Sequence, residues 1–150
     1  MRKQIYSLAL CLSAVLIVFS SCQKNNDIIS DQQSLEGTWA ITAITSDRSY
    51  DWDGDGRSET NIYGTYTNCQ QDIVLVFNAN GGGQVRQGCN ASWQNISWQF
   101  SNNNRTLTIS LPGDELNLSL SQFDNYTIRG TDPVYVNGNN FNVSYTLQRR

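Results

Sequence analysis

The chain has 150 residues, of which 10 are basic, 13 are acidic and none is histidine. This length is enough for one domain around a single core, and the net charge of −3 argues against nucleic acid as a partner. Without histidine the chain has no Ser-His-Asp or Cys-His catalytic arrangement and no zinc triad. We therefore expect no enzymatic activity.

The first 21 residues are typical of a signal peptide. A basic start leads into an apolar run from Leu8 to Phe19, and two serines and Cys22 follow. A basic start, an apolar run of roughly 7 to 15 residues and small residues before the cut define a secretory signal. The run is short for a membrane span, which needs about 20 residues, so a short membrane anchor is the weaker alternative.

Cys22 makes this segment resemble a bacterial lipoprotein signal, in which a large apolar residue and two small ones precede a cysteine. Phe19 stands where leucine is usual. The resemblance implies that Cys22 carries a diacylglycerol and usually a third acyl chain. Two or more chains anchor stably, because each buried methylene contributes about 0.8 kcal/mol. We therefore expect a protein on the bacterial outer membrane, facing the periplasm or the cell surface, whose membrane contact is made by acyl chains. An ordinary secretory signal would not need a cysteine there.

Beyond the signal, the chain divides into a tether and a domain. Residues 22–34 comprise the lipidated cysteine and a polar stretch without periodicity, which suits a flexible tether. Cleavage would remove two of the ten basic residues and none of the 13 acidic ones. Residues 35–150 are predicted to form one domain.

The domain is dominated by period-two alternation. In residues 106–111, for example, three apolar residues alternate with two threonines and a serine, the pattern of a strand with one buried face. No segment has the pattern of a helix of useful length. About eight antiparallel strands joined by tight turns predict an all-β fold, an up-and-down barrel or alternatively a β-sandwich. The predicted strands are Gly37–Thr45, Asp72–Phe77, Gly83–Gly88, Asn95–Phe100, Thr106–Leu111, Leu116–Ser121, Asn125–Arg129 and Phe141–Gln148.

An Asp/Gly-rich insert after the first strand is a candidate calcium loop. It carries carboxylates at relative positions 1, 3, 5 and 9 and a glycine at position 6, and hard oxygen ligands of this kind suit Ca²⁺. It departs from an EF-hand at position 12, which is apolar. The alternative is a solvated turn in which Asp and Gly supply unusual dihedrals. A structural Ca²⁺ would be held by the side chains of Asp51, Asp53, Asp55 and Glu59 and the carbonyl of Arg57.

Two cysteines remain in the domain, Cys69 and Cys89. Cys11 lies in the signal peptide and Cys22 is used for the lipid. In an oxidising compartment the remaining pair most simply forms a disulfide, worth about 3 kcal/mol in the chain-entropy model. A metal site or a reactive thiol is the alternative, but the chain has neither histidine nor a Cys-x-x-Cys pair.

The start of the first strand, Gly37-Thr38-Trp39, resembles the Gly-x-Trp signature of the lipocalins. The resemblance implies that Trp39 closes the floor of the barrel. It also implies that a basic residue near the last strand, Arg149 or Arg150, stacks on the indole, an interaction worth about 0.5–2 kcal/mol.

More of residues 35–150 resembles the lipocalin-like domains of bacterial lipoproteins. The shared features are the opening Gly-x-Trp strand, an Asp/Gly-rich insert, and Cys69 before an apolar strand that ends at Phe77 and an Asn-Gly turn. The resemblance implies a fold more than an activity.

A barrel of this kind is expected to bind a small apolar or amphipathic ligand. The alternative is a structural module that docks to another envelope protein or a glycan. An interior cavity of roughly 300 Å³ or more would favour ligand binding, whereas a packed interior with an exposed aromatic patch would favour docking.

Several side chains are candidates for such a surface. Trp98 shares parity with Ile96 and Phe100 and is expected in the core, whereas Trp93 has the opposite parity and three tyrosines are placed in loops. Adjacent carboxylates at the start of a predicted strand should face opposite sides and not converge as a catalytic pair. The aromatic candidates are Trp93, Tyr63, Tyr66 and Tyr135, the last three placed in loops, and the carboxylates are Asp114 and Glu115.

Overall fold

The computed structural model describes residues 33–150. The predicted signal peptide, Cys22 and most of the predicted tether lie outside the described residues. The described part contains nine strands and two four-residue helices: β1 (Gly37–Tyr50), β2 (Glu59–Asn61), α1 (Ile62–Thr65), α2 (Asn68–Gln71), β3 (Ile73–Phe77), β4 (Gly82–Gln87), β5 (Gln94–Ser101), β6 (Thr106–Leu111), β7 (Asp114–Phe123), β8 (Thr127–Val136) and β9 (Asn139–Arg149).

Eight of the strands form a closed barrel. β1 and β3 to β9 are antiparallel neighbours in that order, and β9 pairs back onto β1 from Trp39↔Arg149 to Ser46↔Val143. This closure confirms the all-β prediction and distinguishes a barrel from the sandwich alternative. β2 is an additional strand on the edge of β1.

β1 is long enough to have two partners along one edge. Its first residues pair with β3, from Gly37↔Phe77 to Ala40↔Val74, and its last residues pair with β2. Between these two ladders, the hydroxyl of Tyr63 lies 3.0 Å from the carbonyl oxygen of Ile41. The segment between β1 and β3 is therefore tied to the barrel wall.

The core lies inside the barrel and is supplied by alternate residues of its strands. This is the half-buried pattern that the sequence predicts. The fully buried side chains are Leu35, Trp39, Phe77, Val85, Leu107, Ile109, Leu118, Ile128 and Leu147.

Two of the turns between strands have the backbone conformations that their residues favour. Asn137 and Gly138 have φ of 48° and 83°, as a two-residue type I′ hairpin requires. Pro112-Gly113 joins β6 to β7 with φ of 82° at the glycine, the Pro-Gly order of a type II turn. Most barrel strands are thus joined by short hairpins.

The structure differs from the sequence prediction in the strand ends and in the insert. β8 extends to Val136, past Pro133, so Tyr135 lies in a strand and its predicted loop position is wrong. Alternation is hard to see there because Gly130 and Asp132 share the parity of buried Ile128. β2, α1 and α2 were not predicted, since elements of three or four residues are too short to show a period.

Candidate functional site

One end of the barrel is closed by Trp39, whose side chain is completely buried. Its indole Nε1 donates a hydrogen bond to the carbonyl of Leu35 at 2.8 Å. The guanidinium carbon of Arg149 lies 4.4 Å from the ring centre, so a cation stacks on the indole as expected. Arg149 supplies it, whereas Arg150 pairs with Asp72 at 3.5 Å.

Gly37 is required by the position of the same arginine. Its φ is +127°, and a Cβ there would lie 2.5 Å from Nη1 of Arg149. The guanidinium donates hydrogen bonds to the carbonyls of Glu36 at 2.6 Å, Ser34 at 2.7 Å and Asn125 at 2.6 Å. Beside the Gly-x-Trp motif, Arg149 therefore joins the segment before β1 to the turn between β7 and β8.

Aromatic rings continue inward from Trp39. Its ring centre lies 6.5 Å from that of Phe123, and Phe100 is 5.7 Å from Phe123. Trp98 lies 5.7 Å from Phe100 and 6.1 Å from Phe77. As predicted, Trp98 belongs with the core, although it is only partly buried. Trp39 and this aromatic layer make the closed end of the barrel.

The opposite end, which we call the open end, contains a cavity of about 800 Å³. Apolar residues from several strands line it, among them Ile44, Leu111, Leu116 and Val134. The cavity exceeds the roughly 300 Å³ expected of a ligand-binding site. The barrel is therefore packed at the closed end and has a half-open cavity at the other.

Three carboxylates contribute to the cavity lining, those of Asp114, Glu115 and Asp132. Asp114 and Glu115 are the first two residues of β7. Asp114 shares the parity of Leu116 and Leu118, whereas Glu115 shares that of Asn117, whose side-chain amide donates a hydrogen bond to the Glu115 carboxylate at 2.9 Å. Burial raises the pKa of Asp132, and the charges of Asp114 and Glu115 raise it further, against a hydrogen bond from the backbone of Asn117. These groups repel one another at the open end.

Three tyrosines also line the cavity, Tyr66, Tyr135 and Tyr145. Burial raises the pKa of Tyr145 to about 12, and the nearby charge of Asp132 adds to the effect. The Tyr145 hydroxyl therefore stays protonated at neutral pH. It can donate or accept a hydrogen bond at the cavity wall.

The predicted disulfide is present and borders the cavity. Cys69, in α2, is bonded to Cys89, with Cα atoms 4.9 Å apart. Cys69 and Gly88 both line the cavity. The bond thus fastens the helical insert to the loop after β4 at the rim.

The other predicted aromatic candidates separate into two groups. Tyr66 and Tyr135 line the cavity, whereas Tyr63 lies in α1 and packs against the core. Trp93 is 43% exposed, with the guanidinium carbon of Arg86 5.4 Å from its ring centre. Only the first pair therefore belongs to the cavity.

The Asp/Gly insert brings three of its carboxylates together. Asp51, Asp53 and Asp55 each offer an oxygen within 4.8 Å of the others, and this is the one such group among the described residues. Glu59 is outside it and accepts the backbone N–H of Trp52 at 2.9 Å. The backbone N–H of Arg57 donates to Asp55 at 2.8 Å.

The loop is also held by its own backbone. Asp51 accepts the N–H groups of Gly54 at 2.8 Å and Gly56 at 3.0 Å, and Asp53 accepts that of Asp55 at 3.1 Å. At its base, the ring of Trp52 packs edge-on against Phe141 at 5.1 Å. Trp52 therefore connects the base of the loop to the barrel through Phe141.

No protein-family model matches the chain, and a search of curated proteins finds no significant match. Within residues 33–150, none of the helices has the length and apolar character needed to cross a bilayer.

Proposed function

We propose that the protein binds a small apolar or amphipathic ligand inside its barrel and performs no catalysis. The observation that carries the proposal is the cavity of about 800 Å³ at the open end. Binding sites for small molecules are typically 300–1,000 Å³ and mostly apolar, with a few polar groups that orient the ligand.

The lining of the cavity supports the proposal. Apolar side chains are provided by Ile44, Leu111, Leu116 and Val134, and the hydroxyls of Tyr66 and Tyr145 provide polar groups. A docking module would need no such space, because small barrels are commonly filled by side chains.

A cavity-filling substitution tests this proposal. Leu116 lines the cavity, so Leu116→Trp should occupy part of it. We expect the soluble form, residues 23–150, to increase the fluorescence of the neutral apolar probe N-phenyl-1-naphthylamine and Leu116→Trp to abolish the increase. Ser119→Trp, on the exposed face of the same strand, is the matched control and should bind like the wild type. No probe binding by the wild type, or equal binding by Leu116→Trp, would refute the proposal.

We further propose that the barrel is a lipocalin-like domain of a bacterial lipoprotein, held at the outer membrane by acyl chains on Cys22. The support is the signal-like segment before Cys22 and the Gly-x-Trp strand that closes the barrel. The full chain should incorporate labelled palmitate and sediment with membranes, and Cys22→Ser should do neither. Membrane sedimentation of the Cys22→Ser chain with its signal uncleaved would instead show a transmembrane anchor.

As a second binding function we propose a structural Ca²⁺ in the insert. The proximity of the Asp51, Asp53 and Asp55 oxygens supports it, since oxygen-rich loops suit Ca²⁺. The predicted ligands Glu59 and Arg57 would have to come from outside that group. Millimolar Ca²⁺ should change Trp52 fluorescence and raise the melting temperature, and Asp53→Asn/Asp55→Asn should remove both effects. An unchanged wild-type spectrum and melting temperature would exclude the site.

A further inference from the structure

We propose that the cavity selects an organic cation, an amine or guanidine attached to an apolar body, over neutral or anionic ligands of the same size. This inference rests on the proposed ligand-binding function and specifies its chemistry.

The apolar part of such a ligand has a place in the cavity. Leu111 and Leu116 come from β6 and β7, and Ile44 and Val134 come from β1 and β8. Side chains from four strands thus face one space, and burying an apolar chain among them would gain roughly 25 cal/mol for each Å² removed from water.

The negative charge of the cavity lining favours a positive charge on the polar group of the ligand. Among the described residues that line the cavity there are three carboxylates, Asp114, Glu115 and Asp132, and neither lysine nor arginine. An anionic ligand would meet like charges here, whereas a cation would neutralise charges that have no counterion in the lining. Charge arrangements of this kind discriminate among ligands by repelling the wrong ones.

The separation of the carboxylates favours an organic cation over a metal ion. In the part of the chain that the structure describes, the one group of three acidic side chains close enough to share a metal is in the Asp/Gly insert. The cavity carboxylates do not approach that closely. A larger cation surrounded by an apolar body is better matched to dispersed acceptors at a rim.

The environment of Asp132 also favours a cationic ligand. Its pKa is raised first by burial and then by the charges of Asp114 and Glu115. A cation bound among these groups would relieve that repulsion. The protonated hydroxyl of Tyr145 is compatible with either sign of charge, so it does not by itself determine selectivity.

Three probes with the same ten-carbon body test the selectivity: decylammonium, decanol and decanoate. Calorimetric titration of residues 23–150 at pH 7 should give a dissociation constant about tenfold lower for decylammonium than for decanol, and decanoate should bind most weakly. The difference between the amine and the alcohol should shrink as ionic strength is raised tenfold.

Isosteric amides then locate the effect. Asp114→Asn/Asp132→Asn should reduce the preference for the amine to less than threefold, and continued binding of decanol reports that the barrel is folded. Asp132→Asn alone should give an intermediate preference. Glu36→Gln is the control. It also replaces a carboxylate with an amide, but at the closed end, so it should keep the wild-type preference for the amine.

Each result bears on a different statement. If decanol and decylammonium bind equally, or decanoate binds best, the charge selectivity is wrong and the ligand-binding function stands. If none of the three probes binds, both proposals fail. An amine preference that survives Asp114→Asn/Asp132→Asn would likewise overturn the assignment to these carboxylates.

Discussion

The two ends of the barrel treat a carboxylate in opposite ways. At the closed end, Asp124 accepts hydrogen bonds from Gln122 and from the backbone N–H groups of Tyr126 and Thr127, and these bonds lower its pKa. At the open end, burial raises the pKa of Asp132. Hydrogen bonds thus stabilise the charged form of Asp124, whereas for Asp132 burial outweighs the hydrogen bond from the backbone of Asn117.

The same contrast holds for the larger side chains. The closed end is a packed aromatic layer around Trp39, crossed by an arginine whose donors reach three carbonyls. The open end has a half-open cavity that both apolar and polar residues line. Stability and binding are commonly separated in this way, because a site that must accept a ligand cannot also be filled by the protein.

The largest effect we expect is from Trp39→Ala at the closed end. Removing a fully buried indole leaves a cavity and deletes the partner of Arg149, which should lower the free energy of unfolding by about 3–5 kcal/mol. Urea denaturation of residues 23–150 measures it. Trp93→Ala, at a site 43% exposed, is the comparison and should cost less than about 1 kcal/mol. Equal losses would show that the closed end does not carry the stability.

The disulfide tests how the rim is held. Cys69→Ser/Cys89→Ser opens a link between residues 20 positions apart, which should lower the free energy of unfolding by about 3 kcal/mol in the chain-entropy model. Amide hydrogen exchange should increase in α2, while exchange around Trp39 should change only through global unfolding. Reduction of the wild type should reproduce the loss. Faster local exchange at both ends would contradict the separation.

Arg149 stacks on the Trp39 indole, a role that the sequence analysis assigned to either Arg149 or Arg150. Arg149→Met keeps the stem but loses the stacked charge and the bonds to Ser34, Glu36 and Asn125, so we expect a loss of about 2 kcal/mol. Arg150→Met should cost less than about 1 kcal/mol, because its pair with Asp72 is long and exposed. Chemical denaturation of both variants gives the comparison, and equal losses would contradict it.

The closed end was largely predictable from the sequence. Gly37, Trp39 and an arginine at the chain end belong to a recognisable pattern, and the strands around them alternate regularly. The sequence did not decide whether Arg149 or Arg150 stacks on Trp39. The direction of each side chain at the end of β9 decides it. Arg149 shares the parity of the buried Phe141, Val143 and Leu147, whereas Arg150 follows the last residue of β9.

The open end was not predictable in the same way. Asp114, Glu115 and Asp132 lie on β7 and β8, and no local pattern indicates that a strand beginning at Asp114 carries its first two residues to the rim of a cavity. A sequence does not distinguish a cavity from a packed core, because leucine, isoleucine and valine line both. The cavity therefore had to be found in three dimensions.

The smallest effect we expect is a change in melting temperature on replacing a single aspartate. The change should be positive at the open end and negative at the closed end. The folded pKa of Asp132 is raised above the 3.8 of an unperturbed aspartate, so the unfolded chain gives up this proton more readily. Stability is lost as pH rises from about that value through the folded pKa. Asp132→Asn should therefore raise the melting temperature at pH 7, and the gain should vanish at pH 3.

For Asp124 the pKa is lowered, so its contribution to stability is present at neutral pH and is lost as pH falls below 3.8 through the folded value. Asp124→Asn should lower the melting temperature at pH 7. Thermal melts of both variants from pH 3 to pH 7 measure the two curves, and shifts of the same sign would contradict the contrast between the ends.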